Sequence, residues 1–253
     1  MKRRPGWLPE LAAQPVVIGH RGLGKTAGHG ENSLAAFVQA WEQGLTVVEC
    51  DVRRTADGIW LVIHDATLAR THGLDIAVAD LAWREPRAWP VEPPPTLEAV
   101  LAATGPDRSL VIEVKPAPSH EEDALEDLAR ILFQAPAPRD LMVISFDPAI
   151  VGMLRDRLPD VPLGLLEDNP GPGAYRRTAE LDADAWWPRA DRIETAELAS
   201  CRAAGLAVMA WTARNLEDCL RLSGAGVDAF GSDHPVLHWE QLRQAAAIRS
   251  EQR

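Results

Sequence analysis

Short apolar runs, mostly β-branched, alternate along the chain with segments of helical period. The runs Val16–Gly19, Thr46–Val52, Ile59–Ile63, Leu110–Val114, Leu141–Ser145, Val161–Leu166, Ala207–Trp211 and Val227–Phe230 have the length and composition of buried strands. Between them the period changes. In Ser33–Gln43, Leu34, Phe37, Val38 and Trp41 fall at i, i+3, i+4 and i+7, which makes one stripe for a core. Leu125, Leu128 and Leu132 repeat the stripe in Glu121–Gln134. Gly205 stands where it would end a helix over Thr195–Ala204, and Asn215 where it would cap one over Leu216–Leu222. Strands alternating with helices predict a parallel sheet, and 253 residues is the size of one (β/α)₈ TIM barrel. With no repeat and no linker, residues 1–253 read as a single barrel domain.

One stretch breaks the alternation. His72–Pro95 is rich in Trp and Pro (Trp83, Trp89, Pro93, Pro94), and a structureless loop of that length is unusual. It reads as a small ordered insertion at about 72–95 over one end of the barrel, either a lid or a packed surface loop.

The polar residues are informative because of where they sit on the strands. His20 and Arg21 follow the first run, Glu49 and Asp51 lie near the end of the second, and His64 and Asp65 follow the third. Glu113 and Lys115 end the fourth, Thr212 follows Ala207–Trp211, and Asp233 follows the last. The C-terminal strand ends of a (β/α)₈ barrel build its active site, so ionisable groups gathered there predict a catalytic rim.

Glu49 and Asp51 are two apart on a strand and leave the same face, with Cys50 on the other. Like charges side by side repel unless something positive lies between them. With Glu113 as a third oxygen donor, the set suits a hard divalent cation, Mg²⁺ or Ca²⁺. The competing reading pairs Glu49 or Glu113 with Lys115 or Arg53.

Asp57-Gly58 is a two-residue hairpin signal, which would set Ala56 opposite Ile59 and His64 opposite Asp51. A three-residue loop would shift that register by one and turn His64 away, unless the chain has already left the ladder there. His20 and His64 on one rim suit a general acid and a general base at neutral pH. The guanidinium of Arg21 matches phosphate oxygens, and the glycine-rich loop Gly22–Gly30 either presents N–H groups to an anion or is a flexible connection.

Composition narrows the partners. A net charge of −11 argues against nucleic acid and leaves room for a small anionic substrate drawn to a local cation. Cys50, Cys201 and Cys219 form no C-x-x-C pair and read as reduced thiols. The start MKRRPGWLPELAAQP has no apolar stretch behind its basic residues, and no run is long enough for a membrane span. The expected address is the cytoplasm, without stable membrane insertion.

Taken in order, the segments GHRG (Gly19–Gly22), GENSLAAF (Gly30–Phe37), VECDVRRTADG (Val48–Gly58), VIHDATLARTHG (Val62–Gly73), PTLEAVL (Pro95–Leu101), IEVKP (Ile112–Pro116), ISFDPAIV (Ile144–Val151), AWT (Ala210–Thr212) and GVDAFGSDHP (Gly226–Pro235) resemble the short, single-domain glycerophosphodiester phosphodiesterases from Val16 to Leu237. The resemblance implies metal-dependent hydrolysis of a glycerophosphodiester to glycerol 3-phosphate and an alcohol. It implies His20 and His64 as the acid/base pair, and Glu49, Asp51 and Glu113 as ligands of one divalent cation. It implies Arg21 and Lys115 as phosphate contacts, and Phe146 and Trp211 as walls of the glycerol pocket. The family usually has Pro-Glu-Asn-Thr where this chain has Gly30-Glu31-Asn32-Ser33, after a somewhat shorter loop. It also usually has Asn where Arg214 stands.

Two routes are open on such a site. In one, the substrate's glycerol 2-hydroxyl attacks phosphorus to give a cyclic phosphate that water then opens; in the other, water attacks directly. Two rival functions are a lysophospholipase D, with the Trp-rich insertion as its apolar groove, and a non-catalytic phosphate-binding barrel. The matched histidines argue against the second.

Overall fold

Period-2 strands and amphipathic helices close into a barrel in this computed structural model, which describes residues 2–9, 14–24, 30–105, 107–116, 122–134 and 141–251. In chain order the main elements are β1 (Val16–Gly19), α1 (Leu34–Glu42), β2 (Val47–Arg54), β3 (Trp60–Val62), α2 (Ala69–His72), α3 (Leu97–Thr104), β4 (Ser109–Val114), α4 (Glu122–Gln134) and β5 (Leu141–Ser145). They continue as α5 (Pro148–Arg157), β6 (Leu163–Glu167), α6 (Tyr175–Glu180), β7 (Ala185–Pro188), α7 (Thr195–Ala203), β8 (Ala207–Ala213), α8 (Leu216–Ala225), β9 (Ala229–Ser232) and α9 (Pro235–Glu251). Strands β1, β2, β4, β5, β6, β7, β8 and β9 pair in parallel in that order, and β9 returns to β1. This is a (β/α)₈ TIM barrel.

The membership of the barrel differs from the sequence reading in one strand. The run at Ile59–Ile63 is the short β3, antiparallel to β2 and outside the ring. The eighth barrel strand is β7, Ala-Trp-Trp-Pro, whose single β-former type and terminal proline gave no strand pattern. It belongs because both tryptophans are buried, Trp186 toward the helices and Trp187 toward the barrel axis.

The hairpin is also corrected. Val52 faces Val62 and Arg54 faces Trp60, and the Thr55 amide donates to the Ile59 carbonyl. The loop is therefore Ala56-Asp57-Gly58, three residues, with Gly58 at φ 85° in the left-handed region that such loops require. The shift would turn His64 outward if the strand continued. It does not: β3 ends at Val62, and His64 lies beyond the ladder.

Alternation along each strand sorts the residues. Ile18, Val47, Val111, Met142, Ile144, Leu166, Trp187 and Met209 pack inside the barrel, with Leu8 of the N-terminal segment among them. Their neighbours Val48, Cys50, Val52, Leu110, Ile112 and Val114 face the helices. The same period that aims Val47 and Val111 inward aims Glu49, Asp51, Glu113 and Lys115 inward one and two steps nearer the C-terminal rim.

Helix starts follow local chemistry. The Ser33 hydroxyl accepts from the Ala36 amide, Thr96 from Ala99, Asp147 from Ala149, and Asn215 from Asp218. Residues 72–95 are ordered by a satellite core of Leu61, Ile63, Leu68, Val78 and Leu81, against which Trp83 and Trp89 pack. Asp57 fixes the insertion to the hairpin, accepting from the Trp83 and Arg84 amides at 2.9 Å each. Cys50, Cys201 and Cys219 are buried and unpaired, and no helix among the described residues is long and apolar enough to cross a membrane.

Candidate active site

The rim begins with a turn. The Gly22 amide donates to the Gly19 carbonyl, and a Cβ on Gly19 would lie 2.2 Å from the Gly22 oxygen, so glycine is required there. Arg21, at φ 53°, adopts the left-handed conformation, which is costly for a residue with a side chain. The arrangement aims the Arg21 amide at Glu49 Oε2, 2.9 Å away, while its guanidinium Nε lies 3.2 Å from Asp51 Oδ2.

Glu49, Asp51 and Glu113 converge. They offer oxygens within 4.8 Å of one another, and all three residues are buried. The pairing of β2 with β4 is the cause, because Asp51 stands directly beside Glu113. Two unit charges that close repel by roughly 3–4 kcal/mol at an effective dielectric of about 20. Lys115 answers part of this, with Nζ at 2.8 Å from Asp51 Oδ1 and donating to Glu113 Oε1. The ion-pair reading of the sequence therefore holds for Lys115, alongside the cluster; Arg53 instead donates to the His64 carbonyl.

The positive charge supplied does not balance the cluster. Burial, then repulsion from Asp51 and Glu113, pushes Glu49 well above the carboxylate range. Burial and Asp51 raise Glu113 to about 7. Burial also acts against the Asp51 carboxylate, yet Lys115 and Arg21 outweigh it and hold the group below its ordinary value. Glu49 Oε1 is buried without a hydrogen-bond partner among the described residues. An all-oxygen donor set, an orphaned carboxylate oxygen and surplus negative charge fit a hard divalent cation.

The two histidines line the same cavity as Glu49 and Glu113. His20 Nδ1 meets Asp233 Oδ1 at 3.1 Å, and His64 Nδ1 meets Asp65 Oδ1 at 2.9 Å. Each ring thus has one nitrogen engaged by a carboxylate, which leaves Nε2 for chemistry. Burial lowers the His64 pKa, partly offset by Asp51.

His20, Arg21, Glu49, His64, Glu113 and Lys115 line a single cavity of about 120 Å³. Its other wall is apolar, with Ile18, Ile144, Leu166 and Trp187 below. Phe146 and Trp211 stand edge to face on that wall, 5.0 Å between ring centroids, and the Trp211–Thr212 peptide is cis. All nine residues singled out in the sequence for catalysis, metal, phosphate and substrate thus meet at one end of the barrel. Arg214 does not line the cavity; it is exposed beside Asp191. No residue of 72–95 lines it either, which favours the packed-loop reading of the insertion over the lid. Of the loop Gly22–Gly30, residues 25–29 lie outside the described residues.

Behind these residues stands a supporting shell, of which the sequence left only Glu31 open to such a role. Asn32 donates to Asp51 Oδ2 at 2.8 Å and accepts from the Asp51 amide at 3.2 Å, so one side chain fixes the carboxylate at both ends. Asp65 and Asp233 stood at strand ends in the sequence, but their histidine contacts needed three dimensions. Glu31 accepts from Arg21 Nη1 at 2.9 Å.

Fold and rim together define a (β/α)₈-barrel enzyme whose cavity joins a carboxylate cluster to two cations and two histidines. The glycerophosphoryl diester phosphodiesterase family matches residues 20–237. A glycerophosphodiester phosphodiesterase of Caldanaerobacter subterraneus is 28% identical over 235 residues, covering 87% of this chain and 94% of that one. A solved phosphodiesterase of Oleispira antarctica, in complex with the product sn-glycerol-3-phosphate, superposes with a TM-score of 0.82 at 25% identity, covering 91% of this chain and 97% of the other. The glycerophosphodiester phosphodiesterase of Thermotoga maritima shares the fold at a TM-score of 0.70 and 24% identity, over 90% and 98% of the two chains. The chain belongs to the glycerophosphoryl diester phosphodiesterase family, whose members are phosphoric diester hydrolases.

Proposed function

We propose that this protein is a divalent-cation-dependent hydrolase of glycerophosphodiesters, acting through His20 and His64 and releasing glycerol 3-phosphate and an alcohol. The reading rests on one cavity lined by two cationic side chains and two carboxylate-anchored histidines, with Glu49 and Glu113 on its wall and Asp51 buried beside them in the same carboxylate cluster. Glu49, Asp51 and Glu113 would hold the cation. When bound it supplies Lewis-acid stabilisation of charge developing on a phosphate oxygen. Arg21 and Lys115 bind the remaining phosphate oxygens and concentrate the anion in a protein of charge −11. The lowered pKa of His64 favours its neutral ring, which suits a proton acceptor, and leaves His20, held by Asp233, to donate one to the leaving alcohol. Phe146 and Trp211 fit the carbon face of glycerol. Three buried free thiols agree with work in the cytoplasm.

The volume of the cavity suits a glycerol phosphate more than an acyl chain, and the insertion that an acyl groove would need contributes no wall. We further propose that the glycerol 2-hydroxyl is the first nucleophile, since a neighbouring hydroxyl is already positioned. The test is hydrolysis of a matched pair, a glycerophosphodiester and its 2-deoxy analogue, together with the acylated form. The expected result is turnover of the first, loss of turnover with retained binding for the second, and poor turnover of the third. Equal turnover of the first two would overturn the cyclic route, and preference for the acylated form would overturn the substrate class.

A further inference from the structure

The residues facing the cavity are tied to one another outside it, through a side chain that lines no part of it. Arg70, on the single turn α2, directs Nη1 to Glu31 Oε2 at 3.0 Å and Nη2 to Glu31 Oε1 at 2.6 Å. The same guanidinium directs Nε to Asp65 Oδ2 and Nη2 to Asp65 Oδ1 at 3.1 Å. Each carboxylate has a second partner in the site, Glu31 holding Arg21 and Asp65 holding His64. A planar fork can engage both oxygens of each of two carboxylates, whereas an ammonium would meet each as a point charge.

We propose that Arg70 is a positioning residue that couples the two halves of the site, fixing Asp65 against His64 and Glu31 against Arg21. The proposal rests on the roles given above to His64 and Arg21. Two consequences follow from charge alone. With Arg70 in place, Glu31 shares its charge between two guanidiniums, so Arg21 keeps donors for phosphate. Without it, Glu31 and Asp65 lose their shared cation, and Glu31 competes with the substrate for Arg21. The hydrogen bond from Arg70 is the first cause holding Asp65 at about 2, so Asp65 faces His64 as a carboxylate already partly neutralised. Removing Arg70 leaves His64 among Asp65, Asp51, Lys115 and Arg21 with one fewer cation, and its protonated form is favoured.

Stability gives the network little reason to exist. The Arg70 side chain is 52% exposed, and ion pairs of that exposure contribute little to folding. An outer-shell partner of this kind typically matters by about 10- to 100-fold in activity.

The experiment compares the full chain, saturated with divalent cation, as wild type, Arg70→Met, Arg70→Lys, His64→Ala and Arg70→Met with His64→Ala. It uses glycerophosphocholine as substrate, over a range of pH, with a thermal melt of each protein. The expected result for Arg70→Met is a kcat lower by about 10- to 100-fold at an unchanged melting midpoint. The limb of the pH profile that reports His64 moves to higher pH, and Arg70→Lys recovers only part of the loss. In the His64→Ala background the Arg70 substitution has a smaller effect, because its target is gone. If Arg70→Met folds poorly, Arg70→Lys carries the test, with a reduced kcat and a shifted limb expected. Near wild-type kcat with an unmoved limb, or full additivity with His64→Ala, overturns the coupling and leaves the proposed function standing. Wild-type turnover in His64→Ala overturns both.

Discussion

At the scale of single residues, the site is organised by carboxylates that each perform a different task. Asp51 is held ionised by Lys115 and Arg21, Glu49 and Glu113 are pushed up by burial and by the charge of Asp51, and Asp65 and Asp233 orient imidazoles. The difference has a consequence for metal loading. A group whose pKa is raised carries a proton below that value, and the proton must leave before the oxygen can bind a cation. With Glu113 at about 7 and Glu49 also raised, affinity for Mg²⁺ or Ca²⁺ should increase as pH rises through 7, with proton release on binding. Calorimetric titration in buffers of different ionisation heat measures both, and affinity independent of pH would mean that the trio does not hold the ion. The histidines give a second expectation. His20→Ala and His64→Ala should each lower kcat by about 10²-fold or more, the scale of a lost general acid or base. Both side chains are part-exposed at the rim, so the melting midpoint should hardly move. A variant that keeps wild-type turnover identifies its histidine as structural.

At the scale of elements, the hairpin between β2 and β3 decides where His64 stands. Its dipeptide Asp57-Gly58 has the signature of a two-residue turn, and that pattern alone sets the register one residue off. The three-residue loop prevails because Asp57 has other work: it accepts from Thr55 Oγ1 and from the Trp83 and Arg84 amides, joining the turn to the insertion. Burial by itself would raise the Asp57 pKa, but the Arg84 amide, the Thr55 hydroxyl and the Trp83 amide together outweigh it and lower the group to about 2. A group depressed on folding stabilises the fold above its unfolded value, about 3.9 for Asp. That contribution is lost as pH falls through 2. Asp57→Ala should therefore remove the acid-sensitive step and, at neutral pH, speed hydrogen exchange at Trp83 and Arg84 while leaving turnover intact. Exchange unchanged at those two amides would show that the satellite core alone orders 72–95. The missed strand has a similar lesson. Ala185–Pro188 lacks β-branched residues, and only the ring of neighbours reveals that Trp186 and Trp187 need opposite faces of a sheet.

At the scale of the molecule, much was legible in the sequence because a barrel writes its chemistry at strand ends. Alternation placed Glu49 and Asp51 on one face, and the position of Glu113 and Lys115 at the end of a later strand brought them to the same rim. The shell behind them was not legible. His20 and Asp233 are 213 positions apart, Glu31 and Arg70 are 39 apart, and no local period links them. Asn32 escaped notice because an amide after a glycine-rich loop usually marks a turn, whereas here it fixes both ends of Asp51. The shell depends on closure of the barrel, which brings β1 beside both β2 and β9 and so sets His20 and Arg21 between the cluster and Asp233. Under the proposed function this closed rim hydrolyses glycerophosphodiesters only when its carboxylates hold a divalent cation. The most direct measurement is release of glycerol 3-phosphate by chelator-stripped protein before and after addition of Mg²⁺ or Ca²⁺. No turnover in the stripped protein and recovery on addition, abolished again in Glu49→Gln, is the predicted result. Full turnover in rigorously metal-free protein would contradict it.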